Sequence, residues 1–192
     1  MRQALRLHPD SHCEALSQIE VRAVRASGGG LALHFLVTGR VSELLLPAPA
    51  RSARADGLWR HTCFEAFVRT PSGTAYHEFN FAPSTEWAAY RFDGYRSGMS
   101  VAESCAPQIA SESKVDRYEL QVRLDLRNCV PPDAAWQIGL SAVMEEKTGT
   151  TSYWALAHPP GRPDFHHADC FALEIPRPWS DPAPTEIPRP DP

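Results

Sequence analysis

Two glutamates and an asparagine flanking one tight turn are the residues of this 192-residue chain best placed to do chemistry. They lie in His61-Thr62-Cys63-Phe64-Glu65-Ala66-Phe67-Val68 and in Tyr76-His77-Glu78-Phe79-Asn80-Phe81, separated by Thr70-Pro71-Ser72-Gly73. Alternate side chains of a strand point to opposite faces. Phe64, Ala66, Val68, Phe79 and Phe81 then make an apolar face, and Cys63, Glu65, Phe67, Tyr76, Glu78 and Asn80 a mixed one. Apolar walls with a few polar groups are what an enclosed small-molecule site needs. Two carboxyls on one face could also serve as acid and base if burial drives their proton affinities apart. The competing reading is a solvated sheet face, or structural carboxylates paired with Arg60, Arg91 or Arg96.

The next segment, PSTEWAAYRFDGYRSGM, sets Trp87, Tyr90, Phe92 and Tyr95 among Arg91 and Arg96. Rings beside guanidinium groups suit sugar faces, aromatic ligands or carboxylates. Edge packing under arginine stems is the alternative. Further on, HPPGRPDFHHADC offers His158, Asp164, His166, His167, Asp169 and Cys170. Their spacing is not a zinc signature, and a proline-stiffened loop capped by Asp164 accounts for the same residues, so no metal site is assigned. Haem would need axial ligands; Met144 fits a core strand, whereas Met99 follows Gly98 in a loop that could reach a cofactor. No G-x-S-x-G elbow, P-loop or GxGxxG is present, which removes the familiar hydrolase, nucleotide and dinucleotide routes.

The elements that must position these groups are strands. RYELQVRLDL alternates Tyr118, Leu120, Val122, Leu124 and Leu126 with polar residues, and LALHFLV and QIGLSAVM repeat the period. Further strands are expected around Ile19 to Val24, Thr62 to Arg69, Tyr76 to Phe81 and Phe171 to Ile175. No long helical stripe appears. Short strands punctuated by SGGG and PSG favour an all-β, antiparallel β-sandwich. Seven of the 18 prolines crowd residues 176–192, which cannot sustain a backbone ladder. The expected organisation is one domain over residues 1–175 and a Pro-rich tail over 176–192.

Composition narrows the partners. With 23 acidic against 19 basic residues the net charge is −4, a poor basis for binding nucleic acid or an anionic membrane. The first residues hold no apolar run long enough for an export signal or a spanning helix, so a soluble, cytoplasmic protein is expected. Five scattered cysteines lack a CxxC spacing and do not suggest a disulfide framework.

Three blocks, LWRHTCFEAFV, YHEFNFAPSTEWAAYRFDGYR and SYWALAHPPGRPDFHHADCFAL, resemble the DOMON-like proteins related to family 9 carbohydrate-binding modules. The resemblance runs from about Leu58 to Leu173 and implies a β-sandwich with a ligand site on its concave face. Relatives of this type clasp a sugar between tryptophans or, in a cytochrome branch, hold b-type haem with Met and His. Trp59, Glu65, Glu78, Asn80, Trp87 and Arg96 fall in the matching blocks, and Trp59 and Trp154 could equally be core. The expected function is a small-ligand-binding module for a saccharide or similar polyhydroxylated molecule. In it Trp87 stacks, Glu65, Glu78 and Asn80 take hydroxyls, Arg96 orients the ligand or the carboxylates, Arg91 is a further ligand-binding candidate, and His158 and His166 stand at the rim. A b-type haem domain, an enzyme using Glu65 and Glu78, and a structural or protein-interaction domain using the sheet face and tail are the alternatives. Cofactor and oligomeric state stay open.

Overall fold

A computed structural model describes residues 2–102 and 106–178. Twelve strands account for nearly all regular structure: β1 (Arg2–Leu7), β2 (Leu16–Ala26), β3 (Gly30–Gly39), β4 (Cys63–Arg69), β5 (Tyr76–Phe81), β6 (Trp87–Phe92), β7 (Ser100–Val101), β8 (Gln108–Ser113), β9 (Arg117–Asp125), β10 (Trp136–Glu145), β11 (Thr151–Ala155) and β12 (Leu173–Ile175). All are antiparallel to their neighbours, in the order β7-β6-β5-β4-β10-β11-β1-β2-β3-β9-β8, with β12 beside the start of β10. Strand β1 pairs with β2 through Arg2–Leu5 and with β11 through Arg6 and Leu7, so one curled sheet folds over at β1 into two facing layers. This is the expected β-sandwich. No helix among the described residues is long and apolar enough to cross a membrane.

The period-two segments bury the faces anticipated. Leu31, Leu33, Phe35 and Val37 of β3 and Tyr118, Leu120, Val122 and Leu124 of β9 meet Phe64, Ala66, Val68, Phe79, Phe81, Leu140 and Met144 of the other layer. Trp136 is wholly enclosed there, with Arg25 stacked over its ring at 3.7 Å. Strands β1, β6, β7, β8 and β11 were not legible as strands, because each is short or mixes polar and apolar positions and is set by pairing to a partner. Residues 179–192, most of the Pro-rich tail, lie outside the described residues. Cys13, Cys63 and Cys170 carry free thiols, whereas Cys129 is disulfide-bonded, a bridge the cysteine spacing did not suggest.

Candidate functional site

The second face of the β4–β5–β6–β10–β11 layer, turned away from the common core, forms the floor of a cavity of about 760 Å³. That volume suits a small ligand. The register explains its composition: Glu65 lies opposite Asn80 and Ser141, Phe67 opposite Glu78, and Glu78 opposite Tyr90. Glu65 and Glu78 are therefore diagonal neighbours on one face. Three loops complete the walls. The 3₁₀ turn Leu58–Arg60 contributes Trp59, the turn after β6 contributes Arg96 and Met99, and the segment before β12 contributes Phe165 and His166.

Local backbone shape holds Arg96 in place. It sits at φ 50, in the left-handed region that non-glycine residues enter only at a cost of roughly 1–2 kcal/mol. Gly98, at φ +64, closes the same turn where a Cβ would strike Asp93. The strain at Arg96 is offset by its partners. Its backbone N–H donates to the Tyr76 hydroxyl at 3.2 Å, and its guanidinium binds Asp164 Oδ1 at 2.8 Å. Asp164 also accepts bonds from Tyr95 and from the His166 backbone N–H, so one carboxylate ties the turn to the opposite wall. Although burial acts upward on the Asp164 carboxyl, the bonds from Tyr95 and Arg96 hold it below the usual carboxylate range. Asp164→Ala is expected to release both walls and cost about 1–3 kcal/mol, the scale of a charge-assisted bond, measured by urea denaturation.

The floor is electrostatically unusual. Glu65 is 3% and Glu78 6% exposed. Burial, followed by the nearby Glu78 charge, pushes the Glu65 carboxyl up to about 8, against the opposing influence of Ser141 and Arg96. Burial also raises Glu78, while Asn80 and Arg96 oppose the rise. Ser141 Oγ donates to Glu65 Oε2 at 3.0 Å, and Asn80 Nδ2 donates to Glu78 Oε1 at 2.7 Å. His166, driven down to about 4 by burial and then by Arg96, is neutral near pH 7. Its Nδ1 lies 2.7 Å from the Tyr76 hydroxyl, which already accepts the Arg96 N–H. The Tyr76 O–H then donates to Nδ1, leaving Nε2–H directed at Glu78 Oε2, 3.7 Å away. With His166 neutral, this contact is a polar approach and not an ion pair.

The structure brings together four of the expected site residues and disperses the others. Glu65, Glu78, Arg96 and His166 line the cavity. Asn80 is fully buried beneath it, where it orients Glu78 and meets Cys63 Sγ at 3.6 Å. Trp87 is a correction. It pairs with Phe81 and shares that residue's face, so its 8%-exposed indole packs in the sandwich core. Arg91 lies on that same side of β6, opposite His77, and its guanidinium binds exposed Asp93, away from the cavity. His158 is not among the cavity-lining side chains: its Nε2 donates to the Arg6 carbonyl at 2.8 Å and latches the loop after β11 to β1, while its ring meets Phe165 of the wall at 6.4 Å.

The aromatic wall comes instead from residues that alternation alone left ambiguous. Tyr90 and Phe92 occupy the cavity face of β6, and Trp59, 40% exposed, meets Tyr90 edge to face at 6.0 Å. Trp154 is core. The available signal for Tyr90 was the Ala82–Glu86 reversal between Phe81 and Trp87, closed by the Ala82 N–H to Glu86 carbonyl bond. Treating that reversal as a hairpin would have carried the parity of Phe81 to Trp87.

Of the residues weighed for haem, Met99 lies in the cavity wall but is 63% exposed. Met144 is buried in the core, and the His166 nitrogens face Tyr76 and Glu78. Among the described residues no three His, Cys, Asp or Glu side chains converge as a metal site. Within the histidine-rich segment, His167 Nδ1 lies 3.5 Å from Asp169, and Cys170 Sγ points at the Asp164 and Ala157 carbonyls.

No known family model matches the sequence, and no curated protein does. Solved structures do share the fold. A Bacteroides uniformis protein described provisionally as carbohydrate-binding superposes with a TM-score of 0.61 at 14% identity, covering 88% of this chain and 83% of its own. A family 9 carbohydrate-binding module from Caldicellulosiruptor kristjanssonii, solved with cellotriose, gives 0.56 at 12% identity, covering 98% and 88%. A family 9 module from the same organism, solved with glucose, gives 0.52 at 11% identity, covering 92% and 84%. At these identities the likeness establishes a β-sandwich of the family 9 type.

Proposed function

We propose that this chain is a DOMON-like, saccharide-binding domain that takes one end of a sugar into the cavity floored by Glu65 and Glu78. The observation that carries the reading is the partly exposed Trp59 indole beside a pocket whose floor is built from oriented hydrogen-bonding groups. A pyranose presents an apolar C–H face and a rim of hydroxyls, and these two surfaces match such a wall and floor. In this reading Trp59 packs on the sugar face, Glu65 and Glu78 take hydroxyls, and Arg96 supplies a donor. The solved neighbours, with cellotriose and glucose in two of them, support the same ligand class.

Titration calorimetry with a panel of mono- to trisaccharides tests the proposal. At least one is expected to bind saturably and to change tryptophan fluorescence. Trp59→Ala is expected to weaken that binding about 10-fold or more, the scale of a lost aromatic anchor, with the melting temperature preserved. Unchanged affinity in this variant would remove the stacking role, and silence across the panel would remove the saccharide.

A further inference from the structure

We propose that the cavity also acts on the sugar it binds: Glu65 and Glu78 work as paired acid and base on the hemiacetal of a reducing aldose, opening and reclosing its ring and so interconverting its anomers. The inference rests on the saccharide reading above and extends it to a reaction.

Geometry comes first. Both carboxyls rise from adjacent strands of one sheet, at diagonal positions of the β4–β5 register. They consequently approach a bound sugar from one side. Glycoside hydrolysis needs carboxyls flanking the scissile bond, with room for a leaving group and, in the inverting case, a water on the far face. A hemiacetal makes a different demand, since its hydroxyl oxygen and ring oxygen are both bonded to C1 and lie along one edge. A same-side pair can serve both.

The supports of the two groups differ as an acid and a base should. Glu65 is held through Oε2 by Ser141, and Glu78 through Oε1 by Asn80, an amide that is itself completely buried. Each carboxyl thus has one oxygen outside these bonds, that of Glu78 approached by His166 Nε2 at 3.7 Å, and its direction is fixed by a buried neighbour. Burial of two carboxylates together is unfavourable unless one retains a proton, and Arg96 is the cation that acts on both, with Arg60 in the same cavity wall. On this proposal the pair shares one proton near neutrality, and Glu65, which burial pushes up to about 8, is the member that carries it. A site that only gathered neutral hydroxyls could use amides at less cost.

The reaction needs no co-reactant. In ring opening the Glu78 carboxylate takes the proton of the C1 hydroxyl, and that O–H electron pair becomes the second C–O bond of an aldehyde. The bond from C1 to the ring oxygen breaks, and the ring oxygen receives the Glu65 proton. Rotation about C1–C2 turns the carbonyl over. On closure the ring-oxygen hydroxyl adds to C1, its proton returns to Glu65, and the new C1 oxygen takes the proton held by Glu78. Both side chains end as they began. His166 is a positioning residue, its Nε2–H facing Glu78 Oε2.

Freshly dissolved α-D-glucose, α-D-galactose, α-D-mannose and α-D-xylose are the probes, with anomeric relaxation followed by polarimetry or proton NMR and binding measured separately by calorimetry. At micromolar protein at least one aldose is expected to relax about 10-fold or more faster than in buffer alone, with saturation. Glu65→Gln and Glu78→Gln are each expected to lower kcat roughly 100-fold with KM changed only a few-fold, the scale of a lost general acid or base. The unsubstituted protein supplies a second readout should either variant fold poorly. Its rate should be bell-shaped in pH, falling in acid as Glu78 gains a proton and in alkali as Glu65 loses its own. The groups facing this pair are Cys63 and Ser141 from β4 and β10, Tyr76 and Tyr90 from β5 and β6, and Arg60, Arg96 and His166 from the walls. An aldose that binds yet relaxes at the buffer rate overturns this inference and leaves the binding function standing. A flat pH profile, or acceleration indifferent to both substitutions, also overturns it. Absence of binding by all four sugars and by the oligosaccharides overturns both readings.

Discussion

Trp87→Ala is expected to destabilise the fold by about 3–5 kcal/mol, the range for truncating a large aromatic in a packed core. Trp59→Ala should instead leave stability within about 0.5 kcal/mol, as substitutions at exposed positions generally do. The contrast follows from place. Trp87 belongs to the same apolar cluster as Phe79, Phe81 and Ala89, and its backbone bonds on both sides to the 53–55 segment. Its removal opens a cavity that a β-sheet backbone cannot close. Chemical denaturation of the two variants checks this directly. A mild loss at Trp87 together with a collapse of saccharide binding would return it to the site and reverse the roles of the two tryptophans.

The second large effect is a loss of stability as pH rises through neutrality. Glu65 keeps its proton up to about 8 when folded, whereas an unfolded glutamate releases it near ~4.3. Between these values the unfolded chain sheds a proton that the folded chain retains, so rising pH favours unfolding. Glu78, also raised, acts in the same direction. His166 and His77, both driven down to about 4 by burial, act oppositely. Unfolded histidines bind protons near ~6.5 that the folded ones refuse, so their contribution to stability grows from pH ~4 to ~6.5. The opposing trends offset each other in acid, and the carboxyl effect stands out above that range. At up to ~1.4 kcal/mol per pH unit, falling as Glu65 ionises and as the histidine gain levels off, about 1 kcal/mol should be lost between pH ~6.5 and ~8. Urea unfolding at the two pH values measures it, and Glu65→Gln should flatten the difference. Equal stability of the unsubstituted protein at both would mean that Glu65 ionises in the fold as it does in water.

Alternation between adjacent residues was sufficient to define the strands β3, β4, β5, β9 and β10, their buried faces and the sandwich class, because side-chain direction in a strand is a local property. It also placed Glu65, Glu78 and Asn80 together on the face opposite Phe64 and Phe79, since a two-strand hairpin carries parity across its turn. Direction could not be inferred for Trp87 and Arg91, whose strand was not apparent and whose parity comes from pairing Trp87 with Phe81. A one-residue displacement there exchanges Tyr90 for Trp87 in the cavity. Nor could spacing show that Trp59, Arg96 and His166, from three separate loops, close over the same floor, or that Asp164 joins two of those loops. Those meetings join residues far apart in the chain and depend on where the folded sheet carries its connections. Local periodicity therefore determined what each strand buries, and the long-range pairing of strands and loops alone decided which polar groups share an enclosure and, through their mutual burial, which of them hold protons.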